Sequence, residues 1–126
     1  MSPVIPAAAR RRSETPAGVM MTNASPTLGP TKDLSMWEVA MTAGASGPLH
    51  VFDSEQIWTV LDGELSMVIA GRTETLGTGD TAVVPEGLER QVEARTNVRL
   101  VVCGHGNATA RVPGEPEPRG TPSWIA

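Results

Sequence analysis

Two stretches decide how this chain folds: Gly44–Gly63, GASGPLHVFDSEQIWTVLDG, and Gly79–Arg90, GDTAVVPEGLER. In the first, a Gly-Ala-Ser-Gly-Pro loop leads into Leu49–Phe52, and Gln56–Leu61 is a run of β-branched and aromatic residues that stops at Asp62-Gly63. Asp-Gly after such a run signals a hairpin, because the turn needs positive φ and glycine adopts it without strain. In the second, Gly79-Asp80 opens Thr81–Val84, and Pro85-Glu86-Gly87 turns the chain, proline setting φ where the strand must end.

The flanking sequence reads the same way. Trp37, Val39 and Met41 alternate with Met36, Glu38 and Ala40; Leu65–Ala70 follows the hairpin, and Thr73–Leu76 follows Gly71-Arg72. Arg90–Ala94 and Val98–Cys103 complete the set. Short strands at this spacing predict an all-β, single-domain jelly-roll barrel. With 126 residues and 40% hydrophobic content there is material for one modest core, and 11 prolines and 13 glycines favour turns over helices.

Residues 1–18, rich in Pro, Ala and Arg without an apolar period, read as a flexible arm, 19–112 as the barrel, and 113–126 as a Pro-rich tail that Trp124 and Ile125 tack down. A formal charge of −4 argues against a nucleic-acid partner, and Arg10, Arg11 and Arg12 read as a solvated cluster on the arm. No apolar run approaches the roughly eighteen residues of a membrane span, and Cys103 is the single cysteine. A cytoplasmic, disulfide-free protein is expected.

The spacing within the two stretches resembles the two motifs of the cupins. In the first, Gly44, His50, Phe52, Gln56 and Gly63 stand in the cupin frame, where the resemblance implies histidines at positions 50 and 52 and a glutamate at 56. In the second, Gly79, Pro85 and Gly87 lead to Arg90, where a cupin has a histidine. Fifteen residues separate Gly63 from Gly79. The resemblance implies a cupin double-stranded β-helix whose metal-binding positions are largely replaced.

Strand parity tests what points inward without appeal to the family. Glu89, Gln91 and Glu93 mark a wet face, so Arg90, Val92 and Ala94 share the inner one. If Gln56 faces inward, Trp58 and Val60 do too; if His50, then Phe52. A guanidinium out of water needs an anionic or strongly polar partner. No carboxylate lies clearly on the inner face, although Asp53 or Glu55 could bend in from their loop. Either a ligand supplies the missing partner or Arg90 reaches water at the barrel mouth.

The candidate catalytic residues are therefore His50 as proton shuttle, Arg90 as anion holder and Gln56 as orienting group, with Phe52, Trp58, Trp37, Val60 and Val92 as the substrate-binding wall. His50 also admits a reading as a hydrogen-bonded residue without chemistry, and Trp37 as plain core. No cofactor is expected; a divalent metal, if held at all, would fall to His50 and Gln56. The function expected is metal-independent proton-transfer chemistry of isomerase, cyclase or dehydratase type on a carbonyl-containing small molecule. The alternatives are a non-catalytic ligand-binding module and a metal-dependent oxygenase with a reduced ligand set. A homodimer is expected, with residues 19–28 apolar enough to add a strand to a neighbouring sheet.

Overall fold

Residues 2–126, described by a computed structural model, form eleven strands and one short 3-10 turn at Ala7–Ala9. In chain order the strands are β1 (Arg11–Thr15), β2 (Gly18–Ala24), β3 (Leu34–Met41), β4 (Val51–Phe52), β5 (Gln56–Asp62), β6 (Leu65–Ile69), β7 (Arg72–Leu76), β8 (Thr81–Val84), β9 (Arg90–Ala94), β10 (Val98–His105) and β11 (Ala110–Arg111). One sheet has the order β1-β2-β3-β10-β5-β8, and every named pair is antiparallel. Opposite it lie β7-β6-β9, extended through the bridges Ser46↔Glu93 and His50↔Arg90 to the β4-β11 pair.

The alternation anticipated in the sequence is what closes the two sheets on each other. Along β3, Ser35, Trp37, Val39 and Met41 are buried; along β10, Val98, Leu100 and Val102 are buried. Leu65 and Met67 of β6 meet them from the other sheet, both fully buried. Each apolar side chain among them contributes roughly 1.5–3 kcal/mol by leaving water. At the β5–β6 hairpin Gly63 has φ +100°, and a β-carbon there would overlap the carbonyl oxygen of Asn97. Glycine is required at that corner by both conformation and space.

Three expectations are corrected here. The arm over 1–18 is in part a strand: β1 pairs with β2 from Arg11↔Thr22 to Thr15↔Gly18. Its arginines are not simply solvated, for Arg10 meets Glu38 at 2.9 Å and Arg11 donates to the carbonyl oxygen of Ala126 at 2.6 Å. The segment proposed to join a neighbouring sheet is held instead between β1 and β3 of its own chain. His105 ends β10 opposite Leu34. No helix among the described residues is long and apolar enough to cross a membrane.

Candidate functional site

The barrel is filled at one end and hollow at the other. The hollow has a volume of about 640 Å³ and walls that are mainly apolar, the size and character of a small-molecule site. Its polar groups come from both sheets. His50 and Arg90 are direct antiparallel partners, His50 N–H donating to the Arg90 carbonyl and Arg90 N–H to that of His50, both at 2.9 Å. Residues opposed in this way project their side chains to the same face. Gln56 enters from the other sheet, paired with Gly104 on β10 and Val84 on β8.

Arg90 is 2% exposed. Its Nε donates to the Leu88 carbonyl at 3.2 Å, Nη2 to the Pro85 carbonyl at 3.2 Å, and Nη1 to Gln56 Oε1 at 3.3 Å across the sandwich. The guanidinium carbon stands 5.1 Å from the Phe52 ring centroid, where the ring face attracts a cation. Of five N–H groups these bonds use three, leaving two. Asp53 does not bend in; its carboxylate accepts from Thr109 N–H at 2.9 Å and Thr109 Oγ1 at 2.6 Å. Glu55 is exposed, and among the described residues no carboxylate pairs with Arg90.

Gln56, 1% exposed, is equally one-sided. Its Oε1 accepts from Arg90 and from Trp58 Nε1 at 3.1 Å, which fixes which amide atom is oxygen, since both partners are donors only. The Nε2 that remains is buried and has no partner among the described residues. An unmade bond of this kind costs roughly 1–3 kcal/mol.

The His50 ring stands edge-on to Phe52 with centroids 5.6 Å apart. Burial, then the charge of Arg90, then that of Arg119 hold its pKa below the ordinary 6.5, so the imidazole is neutral at pH 7. Burial lowers Arg90 to about 10, which leaves it charged there. Neutral base and fixed cation thus share one wall of the cavity.

Phe52, Trp58, Trp37 and Val92 line the cavity, with Trp37 also packed in the core at 3% exposure. Val60 does not. It lies two residues beyond Trp58, about 7 Å further along β5, and is sealed into the core. Parity identified its face; depth along the strand removed it from the site. The ends of the chain supply walls that sequence reading missed: Thr15, Pro16 and Ala17 from the β1–β2 turn, and Arg119 and Trp124 from the tail. Their contacts are between residues far apart in the chain and leave no local pattern. Gly104 also went unrecognised, although a side chain at that position would press on Gln56 Cγ, 3.1 Å from its β-carbon.

The donor set does not suit a tightly held divalent metal. His50 offers one imidazole, position 52 is apolar, and the Gln56 oxygen is already engaged by a guanidinium that a cation would have to displace. No group of three His, Cys, Asp or Glu side chains among the described residues is arranged to hold an ion. Three or more such ligands are the usual minimum.

Comparison with known proteins agrees with this architecture. The family model described as a cupin domain matches residues 37–104. Salicylate 1,2-dioxygenase from Pseudoaminobacter salicylatoxidans, solved as adducts with gentisate, is similar in structure with a TM-score of 0.72 and 19% identity over 83% of this chain. The chain spans only 31% of that dioxygenase's length. An RmlC-like cupin from Shewanella frigidimarina has a TM-score of 0.69 and 18% identity, with 81% of this chain and 88% of that one covered. No curated protein matches the chain.

Proposed function

This chain belongs to the cupin family, and we propose that its barrel is a metal-independent site in which a carbonyl-containing small molecule undergoes proton transfer. One observation carries the reading: a buried guanidinium without a carboxylate is bonded to the oxygen of a buried amide whose N–H₂ has no acceptor, beside a neutral imidazole. An oxygen, or a pair of oxygens as in a 1,3-dicarbonyl, completes both groups.

In the proposed step a His50 ring nitrogen takes the proton from the carbon next to the carbonyl. The C–H electron pair moves into the enolate, whose oxygen receives hydrogen bonds from Arg90 and Gln56 Nε2. The imidazolium then returns the proton to another carbon, or the enolate attacks a second carbonyl to close a ring and the proton goes to the new alkoxide. A base weakened by burial removes only an already acidic proton, which favours a carbon between two carbonyls. Phe52, Trp58 and Trp37 provide flat apolar walls for an aromatic or conjugated body.

Deuterium uptake from D₂O at the central carbon of benzoylacetone, followed by NMR, tests the reaction. Uptake above background that disappears in His50→Ala and falls in Arg90→Gln supports it. A second reading, a non-catalytic binding module, draws on the His50 ring: no side chain among the described residues hydrogen-bonds it, so nothing fixes its tautomer. Binding without uptake selects that reading. Stoichiometric metal in the purified protein, lost in His50→Ala, would overturn the metal-independent proposal. A homodimer belongs to the proposal as well, through the outward row Met36–Cys103–Ile57–Val83 that crosses β3, β10, β5 and β8. Three of its members, Met36, Ile57 and Val83, are more than 40% exposed, and a monomer mass in light scattering would refute it.

A further inference from the structure

The cavity has a second cationic side chain that the proposed chemistry does not use. Arg119 lines its mouth, and no Asp or Glu among the described residues lines it anywhere. Its place is set by backbone pairing. Arg119 N–H donates to the Ala110 carbonyl at 2.8 Å, Ala110 bridges Gly120, and Ala110 opposes Phe52 across the β4-β11 pair. Gly120, with φ +80°, makes the bend that returns the tail across β11. The tail is therefore docked as one more strand position beside Ala110, with β11 between it and Phe52.

Resting on the reading above, we propose that Arg119 is a specificity-determining residue that binds a second anionic group of the ligand at the cavity mouth. The ligand class is a flat, apolar-bodied molecule with an acceptor group at its deep end, held by Arg90 and Gln56 Nε2, and an anionic group at its outer end. Arg119 is occupied in the free protein by Glu115, at 2.7 and 3.1 Å, on an exposed surface. Ion pairs in that setting are readily exchanged, so a ligand anion takes over the guanidinium at little cost. Arg119 lines the same cavity as His50, and its charge adds, after burial and Arg90, to what holds the His50 pKa down. Trp124, held in the same tail through its carbonyl by Thr22 Oγ1 at 2.6 Å, gives the outer half of the cavity an aromatic wall.

The test is calorimetric titration at neutral pH with trans-cinnamate, a monoanion, and 4-carboxycinnamate, a dianion. Wild-type protein is expected to prefer the dianion by about fivefold, the order of one accessible charge pair. Arg119→Gln removes that preference by weakening the dianion more than cinnamate, whereas Glu115→Gln strengthens dianion binding. Arg90→Gln weakens both probes. Thermal unfolding of each variant confirms that the exposed substitutions leave the fold intact. A preference unaltered by Arg119→Gln, or equal loss of both probes, overturns the inference while a loss in Arg90→Gln still supports the deeper site. Failure of wild-type protein to bind either probe removes both.

Discussion

His50 and Arg90 face each other across one antiparallel bridge and exchange both of their backbone hydrogen bonds at 2.9 Å. The pairing sets a titratable base and a permanent cation on the same inner face, at a distance the backbone holds constant. Gln56 then joins Arg90 from the opposite sheet. The charge distribution of the site is thus a property of strand register, not of a mobile loop.

Arg90→Met is expected to separate stability from function. The guanidinium is buried without a carboxylate, an arrangement that destabilises the folded state and that an apolar side chain of similar length relieves. The three acceptors it leaves limit the gain, since Gln56 Oε1 keeps Trp58 but the Leu88 and Pro85 carbonyls lose a donor. Urea denaturation should show stability raised by about 1 kcal/mol, while cinnamate binding is lost. A variant that is strongly destabilised would show that Arg90 holds the barrel together and is not held there for a ligand.

The depressed His50 pKa gives pH profiles a defined sign. Between the folded value and the ordinary 6.5, the unfolded chain binds more protons than the folded protein, so stability rises with pH through that window. The contribution is complete above 6.5 and is lost as pH falls through the folded value. The limiting slope for one group is about 1.4 kcal/mol per pH unit, and His50→Gln should flatten it. Deuterium uptake should rise along the same limb, because only the neutral imidazole accepts a proton. An NMR titration placing His50 at or above 6.5 would contradict both profiles.

The central strands could be read from sequence because each has one dry and one wet face; β8 and β9 run over the anticipated residues, Thr81–Val84 and Arg90–Ala94. β10 runs on to His105 because Gly104, which reads as a stop, is paired on both sides, with Ser35 and with Gln56. β1 gave no signal: Arg-Arg-Ser-Glu-Thr is an edge strand, buried only halfway on alternate residues, and has no apolar period to detect. The frame that names His50, Gln56 and Arg90 lies in the central strands and was visible for the same reason. The mouth was not, since Thr15, Arg119 and Trp124 reach it only through the pairing of chain ends with the barrel.

Gly104→Ala should disturb the site more than the fold. The substitution favours the folded strand by narrowing the unfolded ensemble, worth roughly 0.4–1 kcal/mol. Against this, the new methyl would lie 3.1 Å from Gln56 Cγ and must push that side chain by a few tenths of an ångström. Stability is expected to change little. Cinnamate affinity should fall by about tenfold as the amide leaves its place beside Arg90. Unchanged affinity would mean that Gln56 is not held in position from β10.

Ile125→Ala tests whether the tail belongs to the domain. Although the tail is rich in proline, Ile125 is fully buried in the core, its N–H donates to the Pro122 carbonyl at 3.0 Å, and the neighbouring Trp124 carbonyl accepts from Thr22, itself fully buried. Truncating a buried isoleucine costs about 3 kcal/mol, the lost transfer energy together with the cavity left behind. That loss should appear in urea denaturation, together with weaker binding of both cinnamate probes as Trp124 is released from the cavity wall. A cost under about half a kcal/mol, the level of an ordinary surface substitution, would show that the tail is not packed in solution and that the mouth is built without it.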